Sequence, residues 1–124
     1  MYFYIQGTKT TPYAYMNNGH MRIVGKAVPV EEQPFFGHIS KQLNRYIQKP
    51  ANKTSVDISL SHVNASSKKA MVEFLKQLET INNLGFEVEV NWWYETEDDD
   101  VRELGEIFKS MFNIQIKLLT KATN

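Results

Sequence analysis

Residues Ser55 to Ser61 alternate strictly, with Val56, Ile58 and Leu60 on one side and Ser55, Asp57, Ser59 and Ser61 on the other. Period two sends successive side chains to opposite faces, so Thr54 to Ser61 reads as a strand covered mainly on one face. A helical stripe follows it: Ala70, Met71, Phe74, Leu75, Leu78, Ile81 and Leu84 recur at spacings of three and four and stop at Gly85. A strand feeding a long helix commits the chain to an α/β arrangement, and the rest of the sequence repeats the pattern. Phe86, Val88, Val90 and Trp92 alternate with Glu87, Glu89, Asn91 and Trp93. Val101, Leu104, Ile107, Phe108, Met111 and Phe112 form another helical stripe, and Ile114, Ile116 and Leu118 a last strand.

Upstream, Tyr2 to Gln6 is aromatic and β-branched and ends at Gly7, which marks an opening strand. Tyr13 to Met16 and His20 to Val24 flank Asn17-Asn18-Gly19, whose Asn-Gly step accepts the positive φ angles of a tight hairpin. After Val28-Pro29-Val30 and Glu31-Glu32, the residues Phe35, Phe36, Ile39, Leu43, Tyr46 and Ile47 predict the first helix, closed by Pro50. The order is β, hairpin, α, β, α, β, α, β. It predicts a mixed sheet with parallel neighbours, right-handed crossovers and three helices mainly on one face.

The 124 residues suffice for one domain, 1–124, with its own core. Fourteen basic and fourteen acidic side chains exert no overall pull toward phosphate backbones or anionic lipid, so nucleic acid is a poor candidate partner. The lack of cysteine removes disulfides, thiolate zinc sites and thiol nucleophiles, and fits a reducing, cytoplasmic setting. No stretch approaches the roughly 20 apolar residues of a membrane span, and no export signal is visible. Neither G-x-G-x-x-G nor G-x-x-x-x-G-K-[ST] occurs, which disfavours a nucleotide-binding doubly wound fold.

Ser61-His62-Val63-Asn64-Ala65-Ser66-Ser67-Lys68-Lys69 joins a strand end to a helix start, where open α/β sheets place their sites. Free N–H groups and the positive dipole end of that helix would favour a phosphate on a nearby hydroxyl, whose charge can switch a docking face. Equally, Asn64 or Ser66 can serve as an ordinary N-cap with no function attached. His20, His38 and His62 fall on three elements without metal-ligand spacing. A catalytic role for His62 would need Asp57 or the acidic run Glu95 to Asp100 as its orienting partner. The acidic run lacks the glycine and ligand spacing of an EF-hand and suits the start of the third helix. Trp92 is expected in the core, and Trp93 either as an exposed aromatic contact or beneath a helix.

Several segments, in order and spacing, resemble one family over nearly the whole chain. They are Gly7-Thr8-Lys9-Thr10-Thr11-Pro12, Gly19-x-x-x-Ile23-x-Gly25, Val56-x-Ile58-x-Leu60-x-x-x-Asn64-x-Ser66-Ser67, and Val90-Asn91-Trp92-x-Tyr94 with acidic residues after it. The chain resembles the SiaC-type regulatory phosphoproteins, small relatives of the STAS domains of anti-sigma factor antagonists. The resemblance implies a STAS-like α/β single domain that is not an enzyme and has no cofactor. It also implies phosphorylation by a dedicated kinase and dephosphorylation by a PP2C-type phosphatase. In the best-known branch the unphosphorylated form activates a diguanylate cyclase, which links it to cyclic di-GMP and biofilm formation. The partner-binding loop would be Asn64, Ala65, Ser66, Ser67 and Lys68.

One position departs from that pattern. The family motif reads Asn-Thr-Ser-Ser with threonine as acceptor, and this chain carries Ala65 there. Ser66, then Ser67, become the alternative phosphoacceptors; otherwise the switch has been lost naturally or the acceptor was deliberately replaced. Two further readings stay open: a small-ligand-binding or enzymatic domain using His62 and nearby carboxylates, and a constitutive interaction module without the switch.

Overall fold

Two consecutive residues with positive φ, Asn18 at 50° and Gly19 at 88°, close a hairpin between β2 (Tyr13–Asn17) and β3 (His20–Ala27). Such turns match the right-handed twist of the flanking strands. A side chain at Gly19 would also collide with the Lys53 carbonyl, 2.8 Å from the Cβ position. The computed structural model describes residues 1–29 and 34–122, so Val30, Glu31 and Glu32 lie outside the described residues.

The remaining elements are β1 (Tyr2–Ile5), α1 (Pro34–Ile47), β4 (Lys53–Val63), α2 (Ala65–Asn83), β5 (Glu87–Glu95), α3 (Asp99–Met111) and β6 (Gln115–Lys121). The six strands lie in chain order in one sheet. β1, β2 and β3 pair antiparallel, whereas β3–β4, β4–β5 and β5–β6 are parallel. Each parallel step is made through one helix, which is the arrangement the alternating pattern predicts.

Alternation decides what enters the core. Val56, Ile58, Leu60, Val88, Val90, Trp92 and Ile116 are buried with Met21 and Ile23, and they share one cluster with the inward residues of all three helices. The opposite face of the sheet is partly open: Ser55, Asp57, Ser59, Glu89, Asn91 and Trp93 are half-buried.

Three expectations need correction. β4 runs through His62 and Val63 rather than ending at Ser61, because its pairing with β3 skips Ser61 and resumes at Lys26–His62 and Ala27–Val63. That irregularity breaks the period-two pattern without ending the ladder. Leu84, Ile107 and Met111 are 57%, 54% and 51% exposed, since each lies at the edge of its helical stripe and turns away from the sheet. Trp93 lies under no helix: it faces the open side of the sheet, opposite to Trp92, as adjacent strand residues must. The acidic run does open the third helix, as its charge suggested, with α3 beginning at Asp99.

Candidate functional site

Asn64 holds the start of α2 in place. Its backbone is extended (φ −81°, ψ 175°), and its Oδ1 accepts the Ser67 N–H at 3.0 Å, an N-cap bond. The same oxygen accepts the Ser66 hydroxyl at 3.1 Å. On its other side, Asn64 Nδ2 donates to the Pro29 carbonyl at 3.0 Å, and its backbone N–H to the Ala27 carbonyl at 3.0 Å. The helix start is therefore tied to the end of β3 as well as to β4.

Around this cap the side chains part. Ala65 and Ser66 are exposed, whereas Ser67 is fully buried and its hydroxyl has no hydrogen-bond partner among the described residues. Lys68 and Lys69 are both exposed but border different hollows. Asn64 and Lys68 line the space toward α3, with His62, Asp98, Asp100, Leu104 and Ile107. Ser66 and Lys69 line the groove toward α1, with Phe36, Gly37 and Phe74. A helix turns about 100° per residue, so one step along the loop changes which groove a modification would face.

His62 does not meet Asp57. Its Nδ1 lies 3.1 Å from Ser61 Oγ, and the Asp57 carboxylate is engaged elsewhere, so the expected pairing of a base with that carboxylate is absent. His62 does border a hollow with the acidic run, beside Glu95, Asp98 and Asp100. Asp98 Oδ1, however, accepts the Val101 N–H at 3.1 Å and caps α3, with Asp99 and Asp100 in its first turn, where carboxylates complement the helix dipole. Among the described residues, no group of three or more His, Cys, Asp or Glu side chains is arranged to hold a metal ion.

The open face of the sheet carries a network that sequence reasoning missed. Asp57 Oδ2 pairs with His20 Nε2 at 2.8 Å, while its Oδ1 accepts from Asn91 Nδ2 at 3.1 Å and Trp93 Nε1 at 3.0 Å. Asn91 and Trp93 sit two residues apart on the neighbouring strand, a signal legible only once the β4–β5 register is known. Nearby, Glu89 bridges Lys53 and Lys117 at 3.1 and 3.0 Å, which holds its carboxyl below the ordinary range.

Burial alone would push the Asp57 carboxyl up, but the bonds from His20, Trp93 and Asn91, with the electrostatic attraction of His20, outweigh it and leave it below its ordinary value of 3.8. A carboxylate lowered by folding adds stability above its unfolded pKa and loses it as pH falls through the folded value. The stability difference between wild type and Asp57→Asn should therefore shrink as pH falls below about 4. Urea midpoints from pH 7 to pH 3 check this; a difference constant over the whole range would show that Asp57 titrates alike in both states.

Known proteins share this fold. The chain matches the SiaC family regulatory phosphoproteins over residues 5–121. It is 29% identical over 108 residues to the uncharacterised protein PA14_02130 of Pseudomonas aeruginosa (strain UCBPP-PA14), covering 86% of each chain. The crystal structure of apo-SiaC from Pseudomonas aeruginosa superposes with a TM-score of 0.86 at 26% identity, covering 96% of this chain and 98% of that one. A chain in the crystal structure of the diguanylate cyclase SiaD in complex with its activator SiaC, from the same organism, gives 0.85 at 25% identity, covering 96% and 99%. With the family match running over nearly the whole chain and the six-strand mixed sheet and three helices shared with the solved structures, the chain belongs to the SiaC family of regulatory phosphoproteins.

Proposed function

We propose that this protein is a non-enzymatic signalling adaptor in the cytoplasm that binds and activates a diguanylate cyclase through the segment Asn64 to Lys68, under the control of a kinase and a PP2C-type phosphatase. The observation that carries the reading is the exposed, rigidly capped start of α2 in a chain of this family. The complex of the relative SiaC with its cyclase supports the choice of partner. Among the described residues, no helix is long and apolar enough to cross a membrane.

Ser66 is the acceptor in this reading. Its hydroxyl is exposed, whereas a kinase could reach the buried Ser67 only by unwinding the first turn of α2. The kinase transfers the γ-phosphoryl group of ATP to Ser66 Oγ, releasing ADP and the hydroxyl proton. Hydrolysis by the phosphatase returns serine and inorganic phosphate. Phosphorylation removes the Ser66 hydroxyl's bond to Asn64 Oδ1 but leaves the Ser67 N–H cap bond, and at the second helical position the phosphate lies at the positive dipole end while adding close to two negative charges to the docking surface.

The test is titration of the purified chain against each diguanylate cyclase of its host, with cyclase rate as the second readout. Wild type should bind one of them and raise its rate, and Ser66→Asp should weaken binding about tenfold, or ~1.4 kcal/mol. If no cyclase binds, the proposed partner is wrong. If Ser66→Asp binds like wild type, Ser66 is not the switch.

A second reading, the constitutive module, has one observation in its favour: the family acceptor position holds the exposed but unmodifiable Ala65. Intact-mass measurement after treatment with the host kinase separates the two, since this reading expects no added phosphate while Ala65→Thr accepts one.

A further inference from the structure

Phosphorylation of Ser66 takes away the proton that its hydroxyl shares with Asn64 Oδ1 and puts a dianion beside that oxygen, itself an acceptor with partial negative charge. The phosphate therefore turns away from the cap, and the two lysines that follow offer it two directions. Lys69 lies three positions further along α2, so it shares a face with Ser66, and its side chain leans back toward the helix start. Lys68, two positions along, does not face Ser66.

Their surroundings separate the two lysines as well. Lys68 borders the hollow toward α3 together with Asp98, Asp100 and Glu103, where a phosphate would meet three carboxylates. Ser66 and Lys69 border the hollow toward α1, to which α1 brings no charged side chain among the described residues. Its one carboxylate, Glu73, is turned to Lys76, with Oε1 3.6 Å from Nζ. Lys69 itself makes no ion pair among the described residues.

We infer that Lys69 is the positioning residue for a phosphate on Ser66: it holds the dianion on the α1 side of the first turn of α2, away from Lys68 and the acidic start of α3. The inference rests on Ser66 being the acceptor, as proposed above, and assigns the side of the docking surface that the modification alters. The charge a partner meets changes beside α1, over Ser66 and Lys69, and not in the hollow toward α3.

The chain with Ser66 supplied as phosphoserine during synthesis tests this without the kinase, and phosphorus NMR follows the second ionisation of the phosphate. A nearby cation favours the dianion, so its removal raises the pH at which the last proton leaves. At low salt Lys69→Gln should move that midpoint up by about 0.5 pH unit, an effect that fades in 1 M salt. Lys68→Gln should move it less than half as far, and Lys69→Arg should keep the wild-type midpoint, a rescue that depends on charge. A shift as large in Lys68→Gln, or none in Lys69→Gln, overturns the inference. Treatment of the unmodified chain with the host kinase, read by peptide mass spectrometry, tests the underlying reading separately. Phosphate absent from Ser66 defeats the acceptor assignment whatever the midpoints show, whereas phosphate on Ser66 with equal shifts from both lysines defeats the role of Lys69 alone.

Discussion

Trp92→Ala should cost the domain about 3–5 kcal/mol, a large part of the stability available to a chain of this size. Trp92 is only 1% exposed and meets Phe108 edge-on, with ring centroids 5.5 Å apart. Its Nε1 donates to the Val101 carbonyl at 2.9 Å and so ties β5 to the first turns of α3. Truncation empties a cavity between sheet and helix and removes that carbonyl's indole donor. Urea unfolding measures the effect; a loss under about 2 kcal/mol would mean that α3 slides inward and fills the space.

Gly105→Ala should also destabilise, by about 2–3 kcal/mol, although alanine is the better helix former by about 1 kcal/mol. A Cβ at Gly105 would stand 2.6 Å from Trp92 Nε1 and closer still to its Cδ1. The indole cannot yield without losing its bond to Val101, so the clash moves the helix. In a Trp92→Ala background the same change has space and should stabilise instead, giving a coupling of opposite sign in a double-mutant cycle. Additive effects would show that Gly105 and Trp92 do not compete for one volume. The contrast with Gly37 is instructive: two helix glycines in one small domain, one needed by a neighbouring ring and one facing empty space.

The cap at Asn64 was among the two readings open from sequence, and the structure selects it over Ser66, whose hydroxyl bonds to the cap. Of the two orienting partners open to His62 from sequence, Asp57 is engaged elsewhere, for a physical reason. Asp57 lies within the period-two run that ends before His62, and its closest imidazole belongs to the parallel strand beside it, 37 residues upstream. No spacing rule links residues that meet only through strand register.

What the sequence by itself determined is the series of elements. Hydrophobic period, an Asn-Gly turn, an asparagine before α2 and a glycine after it are local signals, and local sterics and one-sided burial are enough to set them. What only the tertiary structure decided depends on the rotational phase of each helix against the sheet and on the register between strands. That phase exposes Ile107 and Met111, buries Ser67 beside an accessible Ser66, and sends Ser66 and Lys68 into different grooves. Each is a property of where a whole element docks, set by the summed packing of its buried face, and no single residue in the chain encodes it.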